Sequence, residues 1–252
     1  MANLSADLGR VQAFVWAQRP GPHGPASAAG LRAARYRRVV DEEGQRGPRP
    51  AVGVGPHPEP WPEGEHFDRE LLAEGDRRNV IDRYRYWTVE AITADLDPRR
   101  HPFHVAIENW QHDLNIGTVV RTANAFLAAE VHIVGRKRWN RRGAMVTDRY
   151  QHLRHHPTAG DLAAWATDHE VALIGIDNLP GSIALDAEPL PERCMLVFGQ
   201  EGPGLSDAMR PLLSQCRSIP QFGSTRSINA GVAAGIAMYS WIRQHHRAPS
   251  AG

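Results

Sequence analysis

From His101 onward the chain alternates short, continuously apolar runs with helix-length segments, and this rhythm constrains the fold more than any other feature. Phe103–Glu108, Glu130–Gly135, Val171–Asp177, Cys194–Gly199 and Arg217–Pro220 read as strands. Ile116–Leu127, Asp161–His169, Ser206–Leu213 and Ser227–Arg243 read as helices. Strands that are apolar throughout, rather than at every second residue, are buried on both faces. The pattern therefore predicts an α/β fold: a mainly parallel sheet with helices on both faces.

Residues 1–100 have a different texture and form an N-terminal extension to a domain spanning 101–247, with 248–252 as a tail. The stretch from Pro20 to Gly64 is rich in Pro and Gly and predicts irregular structure, interrupted by a short basic helix over Leu31–Val40. After an acidic stretch from Glu59 to Asp76, Arg77–Leu96 predicts a helix with Val80, Ile81, Tyr84, Trp87 and Ile92 near one face.

A net charge of +1 gives no global attraction to nucleic acid, so any such surface must be a local cluster. Two isolated cysteines, Cys194 and Cys216, read as reduced core residues. Nothing at the start resembles a signal peptide, so a cytoplasmic location is the expectation. The apolar run Ile228–Ile242 falls short of the ~20 residues a bilayer needs. Its Gly231 and Gly235 read instead as sites where a helix approaches a neighbouring backbone closely.

Three blocks near the end carry the chemistry: Leu196–Ser206 with its Gly199-Gln-Glu-Gly-Pro-Gly204 run, Ser218–Gly223, and Ser227–Gly235. Each begins or ends an apolar element in turn-forming residues, where backbone N–H and C=O groups face a ligand. The glycine spacing is neither a dinucleotide loop nor a P-loop. Eighty residues earlier, Asn115-Ile-Gly-Thr-Val-Val-Arg121 places an Asn where a helix N-cap belongs and an Arg nearly two turns on. Taken singly, these residues read as a turn, two caps and a solvated Arg. Asn229 resists that reading, since Asn within the first turn of an apolar helix has little propensity reason to be there.

Together the blocks resemble the three signature motifs of the SPOUT methyltransferases, specifically the TrmH (SpoU) family of RNA ribose 2′-O-methyltransferases. The resemblance covers about residues 101–245. It implies a C-terminal deep trefoil knot, which periodicity alone never predicts. It also implies S-adenosylmethionine as cofactor, contacted by Gly199, Ile219 and Ile228, with Asp177 as a weaker candidate. Arg121, Asn115, Glu201, Ser227 and Asn229 match the catalytic set, with Glu201 placed to hold Asn115 or the ribose. Ile228 and Ala230 replace the usual Leu and Val without removing a functional group. A homodimer is implied as well, in which Arg121 of one subunit serves the pocket of the other and the Gly231/Gly235 face packs at the interface. A guanidinium does not readily release its proton, so Arg121 is expected to act electrostatically on a phosphate or a developing alkoxide.

The expected RNA surface follows the second strand: Arg136, Lys137, Arg138, Trp139, Arg141, Arg142 and Arg149, with Trp139 and Tyr150 available to stack on bases. Arg32, Arg35, Arg37 and Arg38 offer a second phosphate-gripping patch. His152, His155 and His156 lack a supporting Cys or carboxylate, so no metal is expected. The substrate is structured RNA, with tRNA slightly favoured over rRNA. The alternatives are a cofactor-binding RNA protein without catalysis and a base-modifying enzyme of the same superfamily.

Overall fold

The computed structural model describes residues 53–111 and 115–246. The basic helix over 31–40, its arginine patch and the tail lie outside the described residues.

Seven strands form one sheet: β1 (His104–Asn109), β2 (Val131–Gly135), β3 (Leu153–His156), β4 (Ala172–Ile176), β5 (Ile183–Ala184), β6 (Cys194–Phe198) and β7 (Gln215–Ser218). Their spatial order is β3-β2-β1-β6-β4-β7-β5, and every pairing is parallel. β6, buried at all five positions, lies between β1 and β4. Helices α3 (Ile116–Ala125) and α5 (Ala230–His245) cover one face, packing on Val105, Ile107, Ile174, Leu196 and Phe198. Helix α4 (Ala159–Asp168) and the segment around Leu205 and Met209 cover the other, over Ala106, Val134, Leu173 and Val197. Alternate residues of each strand thus feed two cores, and the expected doubly covered sheet is what forms.

Both cysteines are free thiols. Burial pushes the Cys194 thiol up to about 12, which keeps it protonated and unreactive.

Three sequence expectations fail locally. Arg77–Leu96 is not one helix. The chain makes a 3-10 turn over Asp82–Tyr84, passes Tyr86 at φ 62°, and starts α2 (Val89–Leu96) only after Thr88 caps it by accepting from the Ala91 N–H. The break is organised by buried Asp76, whose carboxylate accepts from Arg78 Nε and Nη2 and from the Tyr86 N–H. Burial opposes the ionisation of Asp76, yet these hydrogen bonds outweigh it and hold its pKa below the usual carboxylate range. A further short helix, α1 (Arg69–Glu74), lies in the acidic stretch, capped by Asp68. Ser206–Leu213 is likewise no helix but turns ending in a 3-10 segment over Arg210–Leu212. Pro211, which lacks an N–H, is in its first turn. Finally, Leu153–His156 is an edge strand rather than part of a basic loop; its His and Arg residues hid the pattern.

Among the described residues no helix is long and apolar enough to cross a membrane. Gly231 and Gly235 face inward: a Cβ at Gly231 would meet Thr118 Cγ2 at 3.0 Å and one at Gly235 would meet Thr122 Cγ2 at 3.9 Å. The expected glycine face therefore packs on α3 of the same chain and is not free to join a second copy.

Candidate active site

The carboxyl ends of β4, β6 and β7, together with the first turn of α5, enclose a cavity of about 360 Å³. Its wall includes Asp177, Gly199, Glu201, Ile219, Ser227, Ile228 and Asn229, so seven of the nine expected catalytic and cofactor residues converge there. Cavities in open parallel sheets are expected at this end of the strands.

The wall is shaped by the loop after β6. Gln200 and Gly204 exchange both backbone hydrogen bonds at 3.1 Å, closing a five-residue turn. Any side chain at Gly199 would collide with the backbone of Gly204 and Leu205, so only glycine fits. Asp177 braces the same turn: its Oδ2 accepts from the Leu205 N–H at 2.9 Å, and its Oδ1 accepts from Asn178 N–H at 2.7 Å. A Cβ at Gly204, where φ is 71°, would meet that carboxylate at 2.5 Å. Asp177 thus has a structural task in the loop whether or not it touches a ligand.

At the mouth of the cavity three side chains form a directed chain. Asn229 is the N-cap of α5, its Oδ1 accepting from Gly231 and Val232 N–H at 2.9 and 3.3 Å. With its oxygen committed to the cap, its Nδ2 donates to Asn115 Oδ1 at 2.8 Å. Asn115 Nδ2 in turn donates to Glu201 Oε2 at 2.9 Å. Capping one helix therefore fixes the orientation of two amides and one carboxylate from three separate elements. The capping role assigned to Asn115 by spacing is not what occurs: it precedes α3 without a side-chain cap bond and spends its amide on the site. Conversely, Asn229, whose position seemed to lack a propensity reason, is the cap.

Arg121 is exposed on α3, about 9 Å along the axis from Asn115, and is not in the cavity wall of its own chain. Sequence reasoning also missed several residues. Glu108, buried at the end of β1, accepts from Ser206 N–H and Oγ and from Trp110 Nε1, anchoring the segment that follows the turn. Gln200 Oε1 accepts from Gln111 N–H. Arg210, Gln221 and Arg226 line the cavity, and the Gln221 Oε1 is buried there without a donor. The only sequence signal for these was proximity to the motifs.

On the surface after β2, Arg136, Lys137, Arg138, Arg141, Arg142 and Arg149 are all exposed. Asn109 Nδ2 donates to the Arg136 and Arg138 carbonyls and fixes the loop. Trp139 is half-buried with the Arg141 guanidinium over its ring. Tyr150 is not available to stack on a base: it is buried with Tyr84, Ile92 and Leu96. His156 is also buried, in line with His132 and His104. His132 Nδ1 lies 2.9 Å from His156 Nε2, and His104 Nδ1 lies 3.1 Å from His132 Nε2.

The profile of the SpoU rRNA Methylase family matches residues 102–239, and the chain belongs to that family. A Mycobacterium bovis protein described as an uncharacterized tRNA/rRNA methyltransferase is 33% identical over 150 residues, covering 57% of this chain and 46% of its own length. The Mycobacterium leprae counterpart is 32% identical over 147 residues, covering 56% and 47%. The chain thus spans about half the length of the curated relatives it matches. The SpoU methyltransferase AviRb from Streptomyces viridochromogenes, solved with AdoMet, superposes with a TM-score of 0.54 at 26% identity, over 60% of this chain and 64% of that one. The A. aeolicus TrmH/SpoU tRNA modifying enzyme superposes at 0.56 with 19% identity, over 62% and 82%, a likeness of fold alone.

Proposed function

We propose that the chain is an S-adenosylmethionine-dependent RNA methyltransferase acting on a ribose 2′-hydroxyl, with tRNA favoured over rRNA. The observation that carries this reading is the Glu201–Asn115–Asn229 hydrogen-bonded chain, two of whose members line the cavity and which fixes the orientation of the Asn115 amide beside it. The tRNA preference draws support from a solved structure described as giving insight into 2-OH methylation of C/U34 on tRNA. It is 25% identical, with a TM-score of 0.52, and the match covers 57% of this chain and 97% of that one.

The residues present fit the cofactor. The cavity is within the ~300–1,000 Å³ range of small-molecule sites. The orphaned Gln221 Oε1 offers an acceptor to an amino-bearing ligand, and the side-chain-free Gly199 turn leaves backbone for close approach. Gly199, Ile219 and Ile228 would hold the cofactor, with Asp177 bracing the loop beside it. When bound, the cofactor supplies an electrophilic methyl group on sulfur. Asn115, held by Glu201 and Asn229, orients the ribose, and Ser227 faces the same cavity. With the methyl group supplied by the cofactor, the 2′-oxygen would take it as the carbon–sulfur bond breaks, and its proton would pass to water or to an RNA phosphate. Arg121 stabilises the charge that develops on that oxygen or grips the adjacent phosphate.

Arg121 is exposed and does not line its own cavity, which supports a homodimer in which it completes the partner's site. Val232, Ile236 and Tyr239 of α5 are 54, 40 and 54% exposed at i, i+4 and i+7, an apolar stripe suited to that contact. The exposed basic side chains after β2 are read as the RNA-gripping surface. The knot belongs to the same reading. The return of α5 to pack on α3 after β7 is compatible with it.

The test is transfer of label from S-adenosylmethionine into total RNA, separated by size and digested to nucleosides. Label in 2′-O-methyl nucleosides of the tRNA fraction is the expected result. Label on a base would overturn the ribose assignment, and cofactor binding without transfer would favour a non-catalytic RNA-binding protein.

A further inference from the structure

We propose that the loop between β7 and α5 is a nucleotide-binding subsite, in which Phe222 stacks on the unpaired base of the target nucleotide and Arg226 holds its phosphate. The inference rests on the RNA methyltransferase reading above and deepens it.

Phe222 is 96% exposed, by far the most exposed of the large apolar side chains in the described residues. A ring left this open gains none of the stabilisation that burial gives an aromatic side chain, so it is available to a partner. Its neighbours specify the partner. Gln221, immediately before it, and Arg226, four residues on, both line the cavity, and Arg210 lines it from the segment after β6. The Arg226 carbonyl accepts from Asn178 Nδ2 at 3.4 Å, tying the loop to the end of β4. Ser227 and Asn229 follow directly, so the loop ends at the point where the ribose is oriented.

An exposed aromatic ring on the same loop as an arginine that lines the cavity is an arrangement suited to a single-stranded nucleotide. The ring takes the face of any base, and the cation takes the phosphate. A protein partner is a weaker fit, because Phe222 stands alone and does not belong to an apolar patch of interface size. Stacking of this kind tolerates all four bases, so the subsite would hold the nucleotide without reading its sequence. Discrimination would then fall to the basic surface after β2.

The test uses the full chain and two probes, unfractionated tRNA and ribosomal RNA, with KM for RNA, kcat, cofactor affinity and sedimentation measured on wild type, Phe222→Ala, Phe222→Tyr and Arg226→Gln. Phe222→Ala is expected to raise KM for RNA about 5- to 150-fold, the loss of one base–aromatic stack. Cofactor affinity and sedimentation should stay within twofold of wild type, and Phe222→Tyr should restore most of the loss. Arg226→Gln should weaken RNA binding and make it less sensitive to salt. If Phe222→Ala alters cofactor affinity more than RNA affinity, the loop closes over the cofactor and the proposal fails. A changed oligomeric state, or no change in any quantity, also overturns it. Should the wild type transfer no methyl group, the parent reading fails separately. Filter binding of the same RNAs to wild type and Phe222→Ala then decides the subsite alone.

Discussion

At the residue scale, Asn229 gives its two amide atoms different partners. Its oxygen caps α5 and its nitrogen orients Asn115. Asn229→Ser keeps a capping oxygen but is too short to reach Asn115, so its stability should stay within about 0.5 kcal/mol of wild type. Asn229→Ala should lose about 1 kcal/mol. Both should lose most methyl transfer. Denaturant midpoints alongside transfer rates check this, and a fully active Asn229→Ser would sink the role given to the amide. Gly199→Ala should cost at least ~1–3 kcal/mol, because the added methyl meets backbone rather than a movable side chain. A thermal midpoint unchanged in that variant would contradict the closed turn. Most motif residues were legible at this scale because they sit at a strand end, in the turn after one or at a helix start; Arg121, in the middle of α3, was legible only through the resemblance. Glu108 and Gln221 were not: Glu108 takes two of its three hydrogen bonds from Ser206, 98 residues away, and Gln221 Oε1 has no donor among the described residues.

At the scale of elements, strands buried on both faces and long amphipathic helices were readable, because their apolar residues repeat. Short elements ruled by one polar contact were not. The break before α2 follows from Asp76 catching Arg78 and the Tyr86 N–H, a tertiary event that no helical periodicity encodes. The Gly231/Gly235 pair was read as a close approach to a neighbouring backbone, but what a Cβ would meet is side chains of α3, Thr118 tightly at Gly231 and Thr122 only at ordinary contact distance at Gly235. The exposed stripe of α5 is what remains for a second copy. Ile236→Asp, which places a charge in its middle, should shift a dimer toward monomer in sedimentation and reduce transfer with it. An unchanged dimer would move the interface elsewhere.

For the whole molecule, the buried histidine row makes stability depend on pH. Desolvation, helped by Arg193 and neighbouring cations, holds His104 down at about 4. Desolvation, with His104, His156 and Arg154 nearby, holds His132 at about 2. The unfolded chain, with histidines near 6.5, therefore binds more protons than the folded one below that pH. Stability from this row is complete above about 6.5 and falls as the pH drops toward 4, by up to about 1.4 kcal/mol per pH unit for each histidine. Urea unfolding between pH 7.5 and 5 should show this slope, and His104→Gln should make it shallower. Equal slopes would remove His104 from the account.

The hydrogen-bonded chain at the cavity mouth also has a history in time. Its members are 86 and 114 residues apart, counted from Asn115. At ~5–20 residues per second, a ribosome finishes Asn229 roughly 6–23 s after Asn115. Until Glu201 is made the Asn115 amide has neither of its two partners, and Glu201 arrives before the cap that will complete the row. A nascent chain stalled just before Asn229 has the residues of all seven strands yet cannot close this row, which is completed only when the last of its three elements is made.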